Sequence, residues 1–316
     1  MKKFEKYAAN ISNPNWDKLT KRQKPLYKRA LDVRSDFERD YTRVIHSTAY
    51  RRLKHKTQVF FSPENDHICT RIEHVTHVES ISYTIANYLG LNTELTKAIS
   101  VAHDLGHSPF GHQGEHILSD ISKRDLHIPF WHEKNGLELV DSIELLEDAD
   151  RNKQNLNLTY AVRDGIISHC GEIDENGLRP RFDYIDLSTY SHPNQYSPYT
   201  WEACVVKVSD KISYIGRDIE DAITLGILED HLDDLTKLIQ VSSNEKINNT
   251  ILINYFVQNL CENSTPEKGL CFSEDAFELL NKVKKFNYLN IYLADRLKPS
   301  IKYFKLVLNE IYDTLK

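Results

Sequence analysis

Residues 102–118 read AHDLGHSPFGHQGEHIL, and the way this stretch changes character decides how the rest of the chain is read. Apolar residues at i, i+3, i+4 predict a helix over Glu94–Asp104 that delivers His103 and Asp104 at its C-terminal end. Gly106, Pro109, Gly111 and Gly114 then predict a turn-rich loop over 106–114. Outward from this centre the same periodicity predicts helices over Val75–Leu89, Asn135–Leu146, Leu158–Ser168, Trp201–Leu225 and Asp275–Leu297. Gly90 is placed to cap the first of these, and Pro299 to break the last before a further helix over Ser300–Leu315. Strand signals are few, the best being VFF at 59–61 beside a turn. Residues 171–200, with Gly171, Gly177, Pro180, Pro193 and Pro198, predict a long irregular connection or a short hairpin. The expected fold class is all-α, a bundle with peripheral helices and at most a small hairpin.

Composition bounds the rest. Of 316 residues, 40% are hydrophobic and 27% charged, enough to bury a core and too apolar for a disordered chain. With 11 glycines and 10 prolines, collagen-like and low-complexity readings fail, and no repeat or long linker separates two units. No apolar run approaches the ~18–20 residues of a membrane span, and the N-terminus, MKKFEKYAANISNPNWDKL, lacks the apolar centre of a secretory signal. The five cysteines (Cys69, Cys170, Cys204, Cys261, Cys271) are scattered and form no CxxC pair. That points to buried thiols in a reducing compartment, hence the cytoplasm. The net charge of −6 gives no global basic field, yet residues 21–29 (KRQKPLYKR) and 51–56 (RRLKHK) are strongly basic. Each run suits either a solvated helix face or a local patch for a polyanion such as a triphosphate.

The chemistry-bearing residues cluster more than the 14 histidines require by chance. Residues 103–116 hold His103, His107, His112 and His116 with Asp104 and Glu115, while His74 and Asp210 lie on neighbouring predicted helices. His74, His103, Asp104 and Asp210 would offer two imidazoles and two carboxylates to a divalent cation, with positions left for water and a phosphate oxygen. Taken singly, a histidine on an amphipathic helix is more often a surface or hydrogen-bonded core residue. Other phosphate and hydrolase signatures are missing: His132-Glu133 does not continue as HExxH, and there is no GxxxxGK[ST], GxGxxG or GxSxG.

The order His74 … His103-Asp104 … Asp210 resembles the H…HD…D signature of HD-domain metal-dependent phosphohydrolases. Five segments narrow the likeness. DYTRVIHSTAYRRLKHKTQVF (40–60), CTRIEHVTHVESIS (69–82), AHDLGHSPFGHQGEHIL (102–118), LNLTYAVRDGIISH (156–169) and EACVVKVSDKISYIGRDIEDAI (202–223) resemble, in order, motifs of deoxynucleotide triphosphohydrolases of the dGTPase type. The resemblance implies a peripheral segment at 1–39, an HD phosphohydrolase core at 40–235 and a C-terminal helical region packed on that core at 236–316. It also implies the reaction: water attacks the α-phosphorus of a dNTP and releases deoxynucleoside and triphosphate.

By the same resemblance His74, His103, Asp104 and Asp210 hold the metal, Mn²⁺ or Mg²⁺ first and Fe²⁺, Ni²⁺ or Zn²⁺ as alternatives. His112 and Glu115 match the family pair beside the scissile bond, and His107 and His132 match histidines lining the triphosphate channel. Arg71, Lys211 and Arg52 are expected on the phosphates, with Arg52 also open to a structural ion pair. Tyr214 and Asp218 share a helix face with Asp210 and match the residues that accept deoxyribose, while Gln58 matches a glutamine on sugar or base. Departures fall at 130–140 (FWHEKNGLELV), at Cys204 and Ser209, and across 171–200, away from the metal positions. The family implies a homo-oligomer, a tetramer or hexamer, and room for a dNTP effector. Two other readings stand beside it: an HD phosphohydrolase on another phosphoester, and a nucleotide or single-stranded-DNA-binding regulator with a vestigial site.

Overall fold

A computed structural model describes residues 2–26, 32–61, 65–148, 150–170, 176–239 and 249–316. Among them lie thirteen α-helices and one two-stranded hairpin, the all-α class expected. The helices are α1 (Trp16–Leu19), α2 (Asp36–His46), α3 (Thr48–Arg52), α4 (Arg71–Leu89), α5 (Thr93–Ala102), α6 (Gly111–Asp125) and α7 (His132–Glu138). After the hairpin follow α8 (Tyr160–Ser168), α9 (Trp201–Thr224), α10 (Leu232–Leu238), α11 (Asn249–Asn263), α12 (Glu274–Asn287) and α13 (Lys298–Leu315).

The ends of the long helices are set locally. Thr70 and Glu73 close a capping box at the start of α4, and Gly90 ends it in the left-handed region at φ 87°. Thr200 caps α9 by accepting from the Ala203 amide. These two helices stand between two hydrophobic cores. Val75 and Val78 of α4 join Ala203 and Val206 of α9 in one core with residues of α2, α5 and α8. Ile81, Ile85 and Leu89 join Val205, Val208, Ile212, Ile215 and Ile219 in the other, against α11 and α12. Each fully buried Ile or Leu contributes about 1.5–3 kcal/mol of transfer free energy, so α4 and α9 are held from both sides. A third, small cluster seats α13 on α6: Phe304 and Leu308 meet Ile117 and Ile121, and the Phe304 ring stacks on Phe110 at 4.0 Å. Four cysteines are buried, Cys170 is half-buried, and all five are free thiols.

Several local expectations are corrected. The helix expected over 135–146 begins earlier, at His132, closes through one wide turn at Leu139–Ile143, and gives way to a strand. The hairpin pairs Leu145–Glu147 with Lys153–Asn155, antiparallel, and the described part of 171–200 takes the other form expected for it, an irregular connection. Residues 171–175 lie outside the described residues; 176–200 hold a short 3₁₀ turn at Leu187–Thr189 and a single bridge from Leu178 to Leu270. Val59–Phe61 forms no strand, because Phe60 plugs a core and Phe61 packs on Phe304 at 4.3 Å. The helix expected over 275–297 ends at Asn287, with wide and 3₁₀ turns before α13, and Pro299 sits in the first turn of α13, where its missing N–H costs nothing. The basic run 21–29 is described only as far as residue 26.

One close approach joins the His-Asp loop to α7. A Cβ on Gly106 would fall 2.1 Å from the Gly136 nitrogen and 2.2 Å from the His132 carbonyl oxygen, whereas one on Gly136 would come nearest the Ile166 side chain, at 3.1 Å, with the Gly106 backbone at an ordinary 3.5 Å. Backbone cannot give way as a side chain can. Gly106→Ala should therefore destabilise by about 1–3 kcal/mol and Gly136→Ala by clearly less. Urea unfolding of the two variants checks the order, and equal losses would contradict it.

Candidate active site

The site forms where the C-terminal end of α5 meets the N-terminal part of α4 and the middle of α9. His74 comes from α4, His103 and Asp104 from the end of α5, and Asp210 from α9. His103 is 1% exposed, and its Nδ1 donates to the Ser100 carbonyl oxygen at 2.6 Å. That bond fixes the tautomer and leaves the Nε2 lone pair as the ligand-ready atom. Nε2 is buried and has no hydrogen-bond partner. Around it, Asp210 Oδ1 lies at 3.9 Å and Asp104 Oδ2 at 4.0 Å, and His74 Nε2 is 2.9 Å from Asp210. Donor atoms of His74, His103 and Asp210 fall within 4.8 Å of one another, as do those of His103, Asp104 and His169. An orphaned imidazole nitrogen amid further imidazoles and two carboxylates fits a divalent metal.

Charge is arranged to keep those carboxylates ionised. Burial would raise Asp104, but Arg71, donating to Oδ2 at 2.6 Å, and the nearby imidazoles hold it well below the usual carboxylate range. Burial acts likewise on Asp210 and is outweighed by the His74 hydrogen bond. Burial keeps His103 below the ordinary histidine range, so its ring is neutral and able to ligate. Arg71 also donates to the Gln58 and Thr57 carbonyl oxygens at 3.1 and 3.3 Å, which ties the 56–58 segment to the start of α4.

A second group lies beside the first. The His107 ring stacks on His132 at 4.6 Å and meets His112 edge-on at 5.0 Å. Glu115 accepts from His132 Nδ1 at 3.1 Å and lies 3.4 Å from His112 Nδ1. Burial would raise Glu115, but these two histidines hold it far below the usual carboxylate range. Burial opposes charge on His132, yet Glu133, Cys170 and Glu115 hold it above the ordinary range. The His112 side chain is 68% exposed, so this group opens to solvent while His107 is closed off.

The other expected residues are spread more widely. Gln58 Oε1 is buried without a hydrogen-bond partner, Lys211 is buried on α9, and Tyr214 packs partly buried against the larger core. Arg52 pairs with Glu144 at 3.1 Å and is 60% exposed, so its partner is a carboxylate outside the imidazole groups. Asp218 accepts from the Tyr292 hydroxyl at 2.5 Å.

Three residues were not singled out from sequence. His169, which ends the 156–169 segment, donates from Nδ1 to the Ile166 carbonyl oxygen at 2.7 Å; its ring lies 5.0 Å from His103 and 5.3 Å from His132. Burial lowers its pKa to about 3. Lys56 donates to the His107 carbonyl oxygen, and burial brings its ammonium down to about 8. Tyr292 reaches Asp218 from the turn between α12 and α13. His169 and Lys56 each had a signal, a place in a quoted segment and, for Lys56, in the basic run 51–56 as well; Tyr292 had none.

Burial pushes Asp218 from 3.8 up to about 7, against the Tyr292 hydrogen bond. Between those two values the folded chain keeps a proton that the unfolded chain has released, so stability falls as pH rises through the window. Asp218→Asn should flatten that fall and leave the metal-free protein more stable above neutrality, by on the order of a few kcal/mol. Thermal unfolding from pH 4 to 8 in chelator tests it; parallel curves for the two proteins would contradict the assignment.

Known proteins place the chain. The HD-domain family model matches residues 71–215, a range that contains His74, His103, Asp104 and Asp210. A deoxyguanosinetriphosphate triphosphohydrolase-like protein of Caldanaerobacter subterraneus is 35% identical over 283 residues, covering 89% of this chain and 72% of the relative. Proteins of that description from Desulfatibacillum aliphaticivorans and Clostridium tetani are each 34% identical, covering 89% of this chain and 73% of the relative. No described helix is long and apolar enough to cross a membrane. The helical fold, the imidazole–carboxylate site and these relatives agree: the chain belongs to the dGTPase-like family of HD-domain proteins.

Proposed function

We propose that the protein is a metal-dependent dNTP triphosphohydrolase of the dGTPase type, releasing deoxynucleoside and intact triphosphate. The observation that carries this reading is the buried, partnerless His103 Nε2 beside the His74–Asp210 pair, with the open His112–Glu115 pair close by. A divalent cation held by His74, His103, Asp104 and Asp210, Mn²⁺ or Mg²⁺ before Fe²⁺, Ni²⁺ or Zn²⁺, supplies Lewis acidity at the α-phosphate and lowers the pKa of water there.

The chain's own groups do the rest. Arg71 and Lys211 set fixed positive charge against the phosphates, in a site dry enough to strengthen it. Water attacks the α-phosphorus, the bond to the 5′-oxygen breaks, and His112 delivers a proton to that oxygen. Glu115 orients the His112 ring. His107 and His132 line the triphosphate path. Asp218 takes the 3′-hydroxyl in place of Tyr292, Tyr214 crowds a 2′-hydroxyl, and Gln58 contacts the sugar or base. Arg52, which pairs with Glu144, is the third cation this reading assigns to the phosphates. The reading extends to a cytoplasmic homo-oligomer of four or six copies whose activity a second dNTP tunes.

Asp104→Ala should abolish triphosphate release while the helical circular dichroism stays intact. Ion-exchange chromatography of each dNTP incubated with Mn²⁺ or Mg²⁺ checks it, and persistent release would sink the assignment. Orthophosphate or pyrophosphate in place of triphosphate would mean another phosphoester reaction. His112→Ala should lower kcat by about 10²–10⁴ with little change in KM, in line with loss of a general acid; a change confined to KM would move His112 to binding.

A further inference from the structure

The second histidine group is itself a set of metal donors. One donor atom from each of His107, His112, Glu115 and His132 lies within 4.8 Å of the others. Three imidazoles and one carboxylate compose this group, against two imidazoles and two carboxylates in the first. An independent observation points into it: His107 is 2% exposed and its Nδ1 is buried with no hydrogen-bond partner. The group is reachable, because the His112 side chain is 68% exposed, and it is braced, because His107 stacks on His132 at 4.6 Å. The two groups are neighbours across one ring, since His169 lies 5.0 Å from His103 and 5.3 Å from His132.

From this geometry we propose that His107, His112, Glu115 and His132 form a second cation site, selective for a borderline ion of the zinc type. Imidazole-rich donor sets favour Zn²⁺, Ni²⁺ and Cu²⁺, whereas Mn²⁺ and Mg²⁺ prefer carboxylate oxygen. Binding is an exchange: the cation takes imidazole nitrogens whose protons now point at Glu115, and those protons pass to solvent. Occupation of the site therefore opposes turnover, a consequence that rests on the role of His112 proposed above. A cation on the His112 Nδ1 displaces the proton held toward Glu115 and leaves a neutral, metal-bound ring, which is a poor proton donor to the 5′-oxygen. Zinc in excess of the first equivalent acts as an inhibitor, and manganese does not.

The test is metal stoichiometry on chelator-stripped full-length protein. Samples are dialysed against Zn²⁺ or Mn²⁺, and bound metal per chain is measured by elemental analysis. Wild type should hold two equivalents of Zn²⁺ and one of Mn²⁺, and His107→Ala one of Zn²⁺. His112→Ala, truncated at an exposed side chain, should also hold one, and it carries the test if His107→Ala does not fold. Cobalt(II) gives a second readout, with intense visible absorption from the imidazole-rich site that both variants lose. A single Zn²⁺ in wild type, or two retained in folded His112→Ala, overturns the proposal. The two readings fail separately: two zinc ions without dNTP hydrolysis would leave the site standing, and hydrolysis with one zinc ion would leave the enzyme standing.

Discussion

The buried pair of Arg71 and Asp104 is the interaction on which the rest depends. Asp104 is 3% exposed and could not stay ionised there alone, since burial of a carboxylate costs several kcal/mol. Arg71, from the first turn of α4, meets it at 2.6 Å from the end of α5. The same guanidinium donates to the carbonyl oxygens of Thr57 and Gln58. One cation thus joins α4, the end of α5 and the 56–58 segment. It also keeps a negative oxygen ready beside His103, whose own Nε2 is turned inward by its bond to Ser100. Without that cation, burial would push the Asp104 carboxyl upward, with only the nearby imidazoles left to oppose it.

Such a polar centre survives because it is embedded between two cores. α4 and α9 present apolar residues to both sides, so their polar residues meet each other in between. His74 lies one residue before Val75, and Asp210 lies between Val208 and Ile212 on α9; the burial of those neighbours positions the donors. α6 is different. It carries His112 and Glu115 but is seated by its own small cluster with α13, through Phe304 and Leu308. The His112–Glu115 pair therefore hangs on the C-terminal helix, and the turn leading into that helix supplies Tyr292 to Asp218. One stretch of chain thus touches both the second histidine group and Asp218.

The two histidine groups share a design and differ in openness. The first is almost closed to water, with Asp104 and His103 nearly fully buried. The second has a buried floor of His107 and His132 and an exposed rim at His112. A closed, charge-balanced group suits permanent occupation, and an open one suits proton exchange with a passing substrate. The His169 ring, its tautomer set by Ile166, lies 5.0 Å from His103 in the first group and 5.3 Å from His132 in the second.

The sequence by itself determined the all-α class, the centres of the helices at 75–89, 158–168 and 201–225, and the H…HD…D order. Those features are local, written in apolar spacing, caps and neighbouring residues that act within a turn or two of helix. The VFF segment shows the limit: its residues favour a strand, yet among the described residues no partner strand reaches it, and Phe60 and Phe61 serve as plugs for two different clusters. Likewise 171–200 carries turn residues enough for a hairpin, while among the described residues the two-stranded ladder forms between 145 and 155. His169, Lys56 and Tyr292 gain their meaning from contacts across long stretches of chain, with His103, the His107 carbonyl and Asp218. Tertiary structure alone decided these, because distance along the chain says nothing about which buried donor ends beside which acceptor. That choice is made by the packing of α4 and α9 between their two cores.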